Sequence, residues 1–119
     1  MNEYTEVKFY EPIPMTKTTS IHPERLRQGA GLAVGALKVL ANEDRLLLLC
    51  QLSQGEMSVS ELEETLDIRQ PTLSQQLAVL RTEGAVNTRR DGKRIFYSVA
   101  DPKVMQVLEV LYNLYCPKE

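Results

Sequence analysis

Three boundary signals follow one another between Ser58 and Val99, and their order leaves few folds open. Ser58-Val59-Ser60-Glu61 is a capping box, in which the Ser58 hydroxyl and the Glu61 carboxylate each satisfy a backbone N–H of the other residue. Met57 and Leu62 flank it as a hydrophobic staple, and the helix so started runs to about Leu66. A short link, Asp67-Ile68-Arg69-Gln70, leads to Pro71, expected at the first position of a second helix, where its missing N–H is no loss. That helix ends near Glu83, with Gly84 as its stop. Strand-like segments Ala85–Arg89 and Arg94–Val99 then flank Asp91-Gly92, a strong short-range hairpin signal. Helix, tight turn, helix and basic-tipped hairpin predict a mainly α chain with a β-hairpin wing, a winged helix-turn-helix.

The flanking segments supply the rest of a small helical core. A helix is expected to start after Pro23 and run to about Leu40, with Leu26, Ala30, Ala33, Leu37 and Leu40 spaced alternately by four and three. Gly29, Gly31 and Gly35 thin its wall, so another helix can approach closely. Asn42 is the expected N-cap of a helix from Glu43 to about Ser53, closed by Gly55. Leu46 to Leu49 make that helix apolar nearly all round, hence central and buried. Asp101 and Pro102 start a last helix carrying Val104, Val107, Leu108, Leu111, Leu114 and Tyr115 on one broad stripe, and Pro117 ends it. Residues Met1 to Ser20 lack a sustained period and are expected to form a mobile arm before a domain spanning residues 21–119. Within the arm, Glu3–Tyr10 suits either a short strand or a docking peptide.

Charge decides which surface has a task. The chain of 119 residues is net −2, which by itself argues weakly against nucleic-acid binding. From Arg69 to Arg94, however, six cations face only Glu83 and Asp91, so this stretch carries +4 and the remainder −6. A basic patch on an acidic body directs binding to one face. In the helix after Pro71, Leu73, Leu77 and Leu80 point inward, and at 100° per residue Gln75 and Thr82 point outward. Thr72, Ala78 and Val79 lie near them, Ser74 and Arg81 on one flank and Gln76 on the other. On a lone helix such a face is ordinary solvent exposure. Set between a capped helix and a basic hairpin, it suits a major groove, where Gln can pair with adenine and Ser or Thr with several base edges. Arg89, Arg90, Lys93 and Arg94 surround the hairpin turn and are expected to reach phosphates or a minor groove.

Arg45-Leu46-Leu47-Leu48-Leu49, Ser58–Leu62, Gln70–Leu80 and Arg94-Ile95-Phe96-Tyr97 resemble the corresponding motifs of the ArsR/SmtB family of bacterial repressors. The resemblance covers roughly Leu37 to Cys116. It implies a homodimeric winged-helix repressor, paired through its first and last helices, that leaves a double-stranded operator when an inducer binds. Gln76 departs from the family, many of whose members carry histidine there, and this bears on base preference.

The chain does not offer the ligand spacing of the family's metal sensors. The helix Ser58–Leu66 contains no cysteine, the last helix no histidine, and the one histidine is His22, read as exposed and inert. No metal or cofactor is expected. Two cysteines are present, Cys50 and Cys116. Taken singly, Cys50 after four leucines reads as packing and Cys116 near a helix end as incidental. The pair, however, resembles the thiol-sensing branch of the family, the BigR/SqrR-like and HlyU-type regulators. That resemblance implies that a disulfide or polysulfide link between Cys50 and Cys116 switches operator affinity, with a reactive sulfur species or another oxidant as inducer. A metal- or arsenite-responsive repressor and a winged-helix protein-interaction module stand beside it as alternatives. No Cys-x-x-Cys pair, nucleophile–base set or phosphate-binding Gly loop points to an enzyme. No apolar run is long enough to span a bilayer and no signal peptide is visible, so the expected compartment is the cytoplasm.

Overall fold

The computed structural model describes residues 22–117. The expected arm, with its Glu3–Tyr10 segment, lies outside them. The elements run α1 (Pro23–Leu40), α2 (Glu43–Leu52), β1 (Met57–Ser58), α3 (Val59–Leu66), α4 (Thr72–Thr82), β2 (Val86–Asp91), β3 (Arg94–Val99) and α5 (Pro102–Tyr115). The chain divides into two units at Ala33 and Val34, within α1. In the first, every described residue of α1 is exposed. The second holds the end of α1 and all the other elements.

Local chemistry explains most of these boundaries. Asn42 Oδ1 accepts from the Arg45 N–H at 3.0 Å and caps α2. The capping box of α3 is complete: the Ser58 N–H donates to Glu61 Oε1 at 2.8 Å and the Glu61 N–H to Ser58 Oγ at 3.3 Å. Helix α4 closes in a Schellman arrangement, Ala85 N–H to Leu80 O and Gly84 N–H to Arg81 O, with Gly84 at φ +76°. Asp101 caps α5 through the Lys103 N–H.

Helix α2 packs against both α3 and α4, and the hairpin lies against all three and against α5. Leu48, Leu49, Leu62, Leu73 and Leu80 are fully shielded from water and form the centre of the core. Four consecutive leucines sweep through 300°, so they cannot all face one core. Leu47 is accordingly 40% exposed and Leu46 half-buried, a correction to the reading of α2 as buried on every side.

The sheet departs from the sequence reading in two ways. It has three strands, in the order β1-β3-β2, because Met57 and Ser58 pair with Tyr97 and Phe96. Second, β2 extends to Asp91, which pairs with Arg94, so the two-residue loop is Gly92-Lys93 rather than Asp91-Gly92. Gly92 takes φ +66° at the first loop position, the pattern of a turn that demands glycine there and matches strand twist. A third shift is at Pro71, which takes the N-cap position one residue before α4.

Candidate nucleic-acid interface

Helix α4 separates its two faces cleanly. Leu73, Leu77 and Leu80 anchor it with at most 2% exposure. Ser74, Gln75, Ala78, Val79, Arg81 and Thr82 are exposed, while Thr72 and Gln76 are half-buried. Pro71 has no side-chain acceptor for the free N–H groups of the first turn. Gln70 supplies one instead: its Oε1 accepts from the Ser74 N–H at 3.2 Å and from Ser74 Oγ at 2.6 Å. Ser74 is thus held at the start of the outer face. Gln75 has no side-chain partner among the described residues. Gln76 differs, because its Oε1 accepts from Arg45 Nη1 at 3.0 Å. The same guanidinium donates to the carbonyls of Val39 and Lys38, at 2.7 and 3.0 Å, in the last turn of α1.

The wing divides its four cations. Strand alternation and the register put Arg89 and Arg94 on one face with Phe96. Arg89 forms a fork with Glu56, Nε to Oε2 at 2.9 Å and Nη2 to Oε1 at 2.7 Å. Arg94 donates to Ser58 Oγ at 3.1 Å and lies 3.9 Å from Glu61. Both guanidiniums stand over the Phe96 ring, 4.6 and 4.9 Å from its centre, in cation–π contact. The hydrogen bond from Arg89 holds the Glu56 carboxyl below its ordinary range, and Glu56 in turn raises Arg89. Glu61 is also held low, first by the Ser58 backbone N–H, then by the Ser58 side chain and the Arg94 charge. Arg90 falls on the opposite face, which carries Val86, Tyr97 and Val99 toward the core, and Lys93 occupies the turn. Both are exposed and have no side-chain partner among the described residues. Arg89 and Arg94 were expected to reach DNA along with them; here both are exposed and engaged by Glu56, Ser58, Glu61 and Phe96.

The partners that sequence reading missed are Arg45, Glu56, Gln70 and Phe96. Arg45 had a signal, since a cation in the first turn of a helix opposes the dipole and calls for a tertiary reason. Glu56 and Phe96 had none, because strand register alone brings them to the arginines.

Cys50 and Cys116 are not bonded to each other. Cys50 is half-buried against the core and Cys116, the C-cap of α5, is exposed. Burial, and secondarily the Cys116 charge, push the Cys50 thiol above its ordinary range. Among the described residues no three His, Cys, Asp or Glu side chains gather as metal ligands. No described helix is long and apolar enough to cross a membrane.

A helix-turn-helix whose second helix exposes a polar face beside a cationic hairpin defines a winged-helix DNA-binding protein. Comparison with known proteins narrows the class. Residues 42–88 match the family described as "Bacterial regulatory protein, arsR family". The chain is 58% identical over 83 residues to a biofilm growth-associated repressor of Agrobacterium fabrum, covering 70% of this chain and 71% of that one. The crystal structure of the transcriptional repressor BigR from Xylella fastidiosa aligns with TM-score 0.76 at 44% identity, over 82% of this chain and 100% of that one. Reduced HlyU from Vibrio cholerae aligns with TM-score 0.75 at 41% identity, over 79% and 99%. This chain belongs to the ArsR family and is a transcriptional regulator.

Proposed function

We infer that this chain is a homodimeric, sequence-specific repressor whose hold on its operator is released when Cys50 and Cys116 are joined through sulfur. The carrying observation is the pair of free thiols, one on the core-packed α2 and one at the end of α5, in a chain similar to BigR and HlyU. The Vibrio cholerae relative was solved in a reduced form, which supports a redox-dependent reading. The chemistry balances in two ways. Two thiols lose two electrons and two protons to an oxidant and give a disulfide. Alternatively, two thiols and one persulfide RSSH give a disulfide, one thiol RSH and one hydrogen sulfide, and a second RSSH leaves one further sulfur in the bridge with release of another RSH. Cys116 is exposed and Cys50 half-buried, so Cys116 meets the oxidant or persulfide first, its thiolate attacking the outer sulfur of RSSH with release of RSH, and Cys50 then resolves it.

Dimerisation is argued from what each terminal helix leaves uncovered. Helix α5 exposes Val110, Tyr112, Leu114 and Tyr115, and only Val104 and Leu108 of its expected stripe are buried. Helix α1, taken by itself, exposes Leu26, Leu32, Val34 and Leu37, and a Cβ at Gly29, Gly31 or Gly35 would meet nothing within 4 Å. Such faces are covered by a second copy, which sets two α4 helices about one DNA turn, roughly 34 Å, apart. Linking α5 to α2 alters that spacing. A hundredfold loss of affinity needs about 2.7 kcal/mol of coupling between the linkage and DNA binding. The thiols and α4 serve DNA binding and its release; Thr72, Ser74, Gln75, Gln76 and Arg81 face the groove, and Arg90 and Lys93 the backbone.

Gel-shift titration of reduced and persulfide-treated protein on DNA selected by the reduced protein tests this, with mass spectrometry of the same samples. The treated protein should bind about a hundredfold more weakly and carry a bridge between Cys50 and Cys116. Cys50→Ser should bind DNA and fail to respond. Equal affinities for a protein shown to be bridged would remove the switch and leave DNA binding standing.

A further inference from the structure

We propose that Arg45 makes Gln76 a donor-only reader of DNA, so that Gln76 selects guanine and Arg45 is a specificity-determining positioning residue. The inference rests on α4 being the helix that enters the groove, and deepens that reading. An arginine guanidinium has five N–H donors and no acceptor. The amide atom of Gln76 that meets Arg45 Nη1 at 3.0 Å is therefore the oxygen, and its opposite, Nε2, points elsewhere. Arg45 is itself fixed, because Nε and Nη2 are spent on the carbonyls of Val39 and Lys38. Turning the Gln76 amide over would set N–H against N–H beside a full positive charge. Nε2 donates to no group among the described residues, and no partnerless side-chain atom there is buried, so Nε2 opens to solvent.

A free glutamine offers both an acceptor and donors, and so pairs bidentately with adenine N6 and N7. Gln75, exposed and without a side-chain partner among the described residues, keeps that capacity. Gln76 does not, because a charge-assisted bond holds its oxygen toward Arg45, so that oxygen and Nε2 do not both turn to one base edge. Two N–H donors match guanine, which presents N7 and O6 as acceptors on its major-groove edge, and gain little from cytosine, which presents a donor there. Two neighbouring glutamines on one helix thus read different letters, and a residue on α2 that need not touch DNA sets the difference.

The test is selection of binding sites from a randomised duplex library by the full-length reduced protein, at one fixed salt concentration, for wild type and three variants. Wild type should enrich guanine over adenine by about fivefold or more at one position of each half-site. Gln76→Glu keeps a partner for Arg45 but turns an acceptor outward, so that position should move to cytosine. Arg45→Met frees the amide to turn, and adenine should rise to parity with guanine. Arg45→Lys restores a donor against the oxygen and should restore the guanine preference. Base ranking is read on the folded, bound fraction, so a variant that is merely less stable lowers recovery without changing letters. An unchanged ranking in Gln76→Glu or in Arg45→Met overturns the proposal, as does adenine selected by wild type at the position that Gln76→Glu alters. If the wild type enriches no sequence at all, the groove-reading role of α4 fails and takes this inference with it.

Discussion

Helix α4 and the wing lie side by side in sequence, but they handle polar groups in opposite ways. The helix keeps its outer face nearly free of charge, with Arg81 its one cation, and largely unpaired; Gln75, Ala78, Val79 and Thr82 are open to solvent. The wing is rich in charge, yet half of it is spent internally. Arg89 belongs to Glu56 and Arg94 to Ser58 and Glu61, with Phe96 between the two guanidiniums. Glu56 and Glu61 lie outside the Arg69–Arg94 stretch, so they return part of the positive charge that the sequence concentrates there. Counting cations therefore overstates the unpaired charge of the wing. Arg89 and Arg94 are tied to Glu56, Ser58 and Glu61, and Arg90 and Lys93 are the wing cations without a side-chain partner among the described residues.

The largest effect that separates the two faces of α4 is in stability. Leu77→Ala removes a side chain that is 2% exposed and should destabilise the fold by about 2–5 kcal/mol in urea denaturation. A loss below about 1 kcal/mol would place that side of the helix outside the core. Gln75→Ala should leave the urea midpoint in place and weaken binding to the selected DNA by about 1–3 kcal/mol. An affinity equal to wild type would move base reading elsewhere on the helix.

A smaller effect probes the wing anchor by pH. Glu56 titrates below the usual carboxylate range when folded, so its contribution is complete above the ordinary carboxylate pKa and is lost as pH falls through the depressed value. NMR signals of the Arg89 side chain should follow that titration in wild type and be flat in Glu56→Gln. Signals of Arg94, which answers to Glu61, should titrate in both proteins. Arg89 signals unaffected by Glu56→Gln would dissolve the anchor.

What the sequence discloses here is what is local. The capping box at Ser58, the proline before α4, the Gly84 stop and the hairpin signal near Gly92 each act over a few neighbouring residues, and together they define the winged helix. The Leu73, Leu77, Leu80 stripe shows which side of α4 faces inward because helical period carries that information directly. Strand β1 was not legible, since two residues become a strand only through partners at Phe96 and Tyr97. Arg45 with Gln76 and Glu56 with Arg89 were hidden for the same reason, at separations of 31 and 33 residues. Those long-range pairs turn a plain list of polar residues into two classes, committed and open.

The division within the wing is measured most directly by the salt dependence of DNA binding. Removing one cation that neutralises a phosphate lowers the slope of log K against log[salt] by about 0.9. Replacing both Arg90 and Lys93 with alanine removes four cations from the homodimer and should flatten the slope by about 3.6, with the preferred sequence unchanged. Arg89→Ala should leave the slope within experimental error of wild type. A slope that falls equally in Arg89→Ala and in each single replacement of Arg90 and Lys93 would show that all the wing cations reach DNA, and would contradict the account.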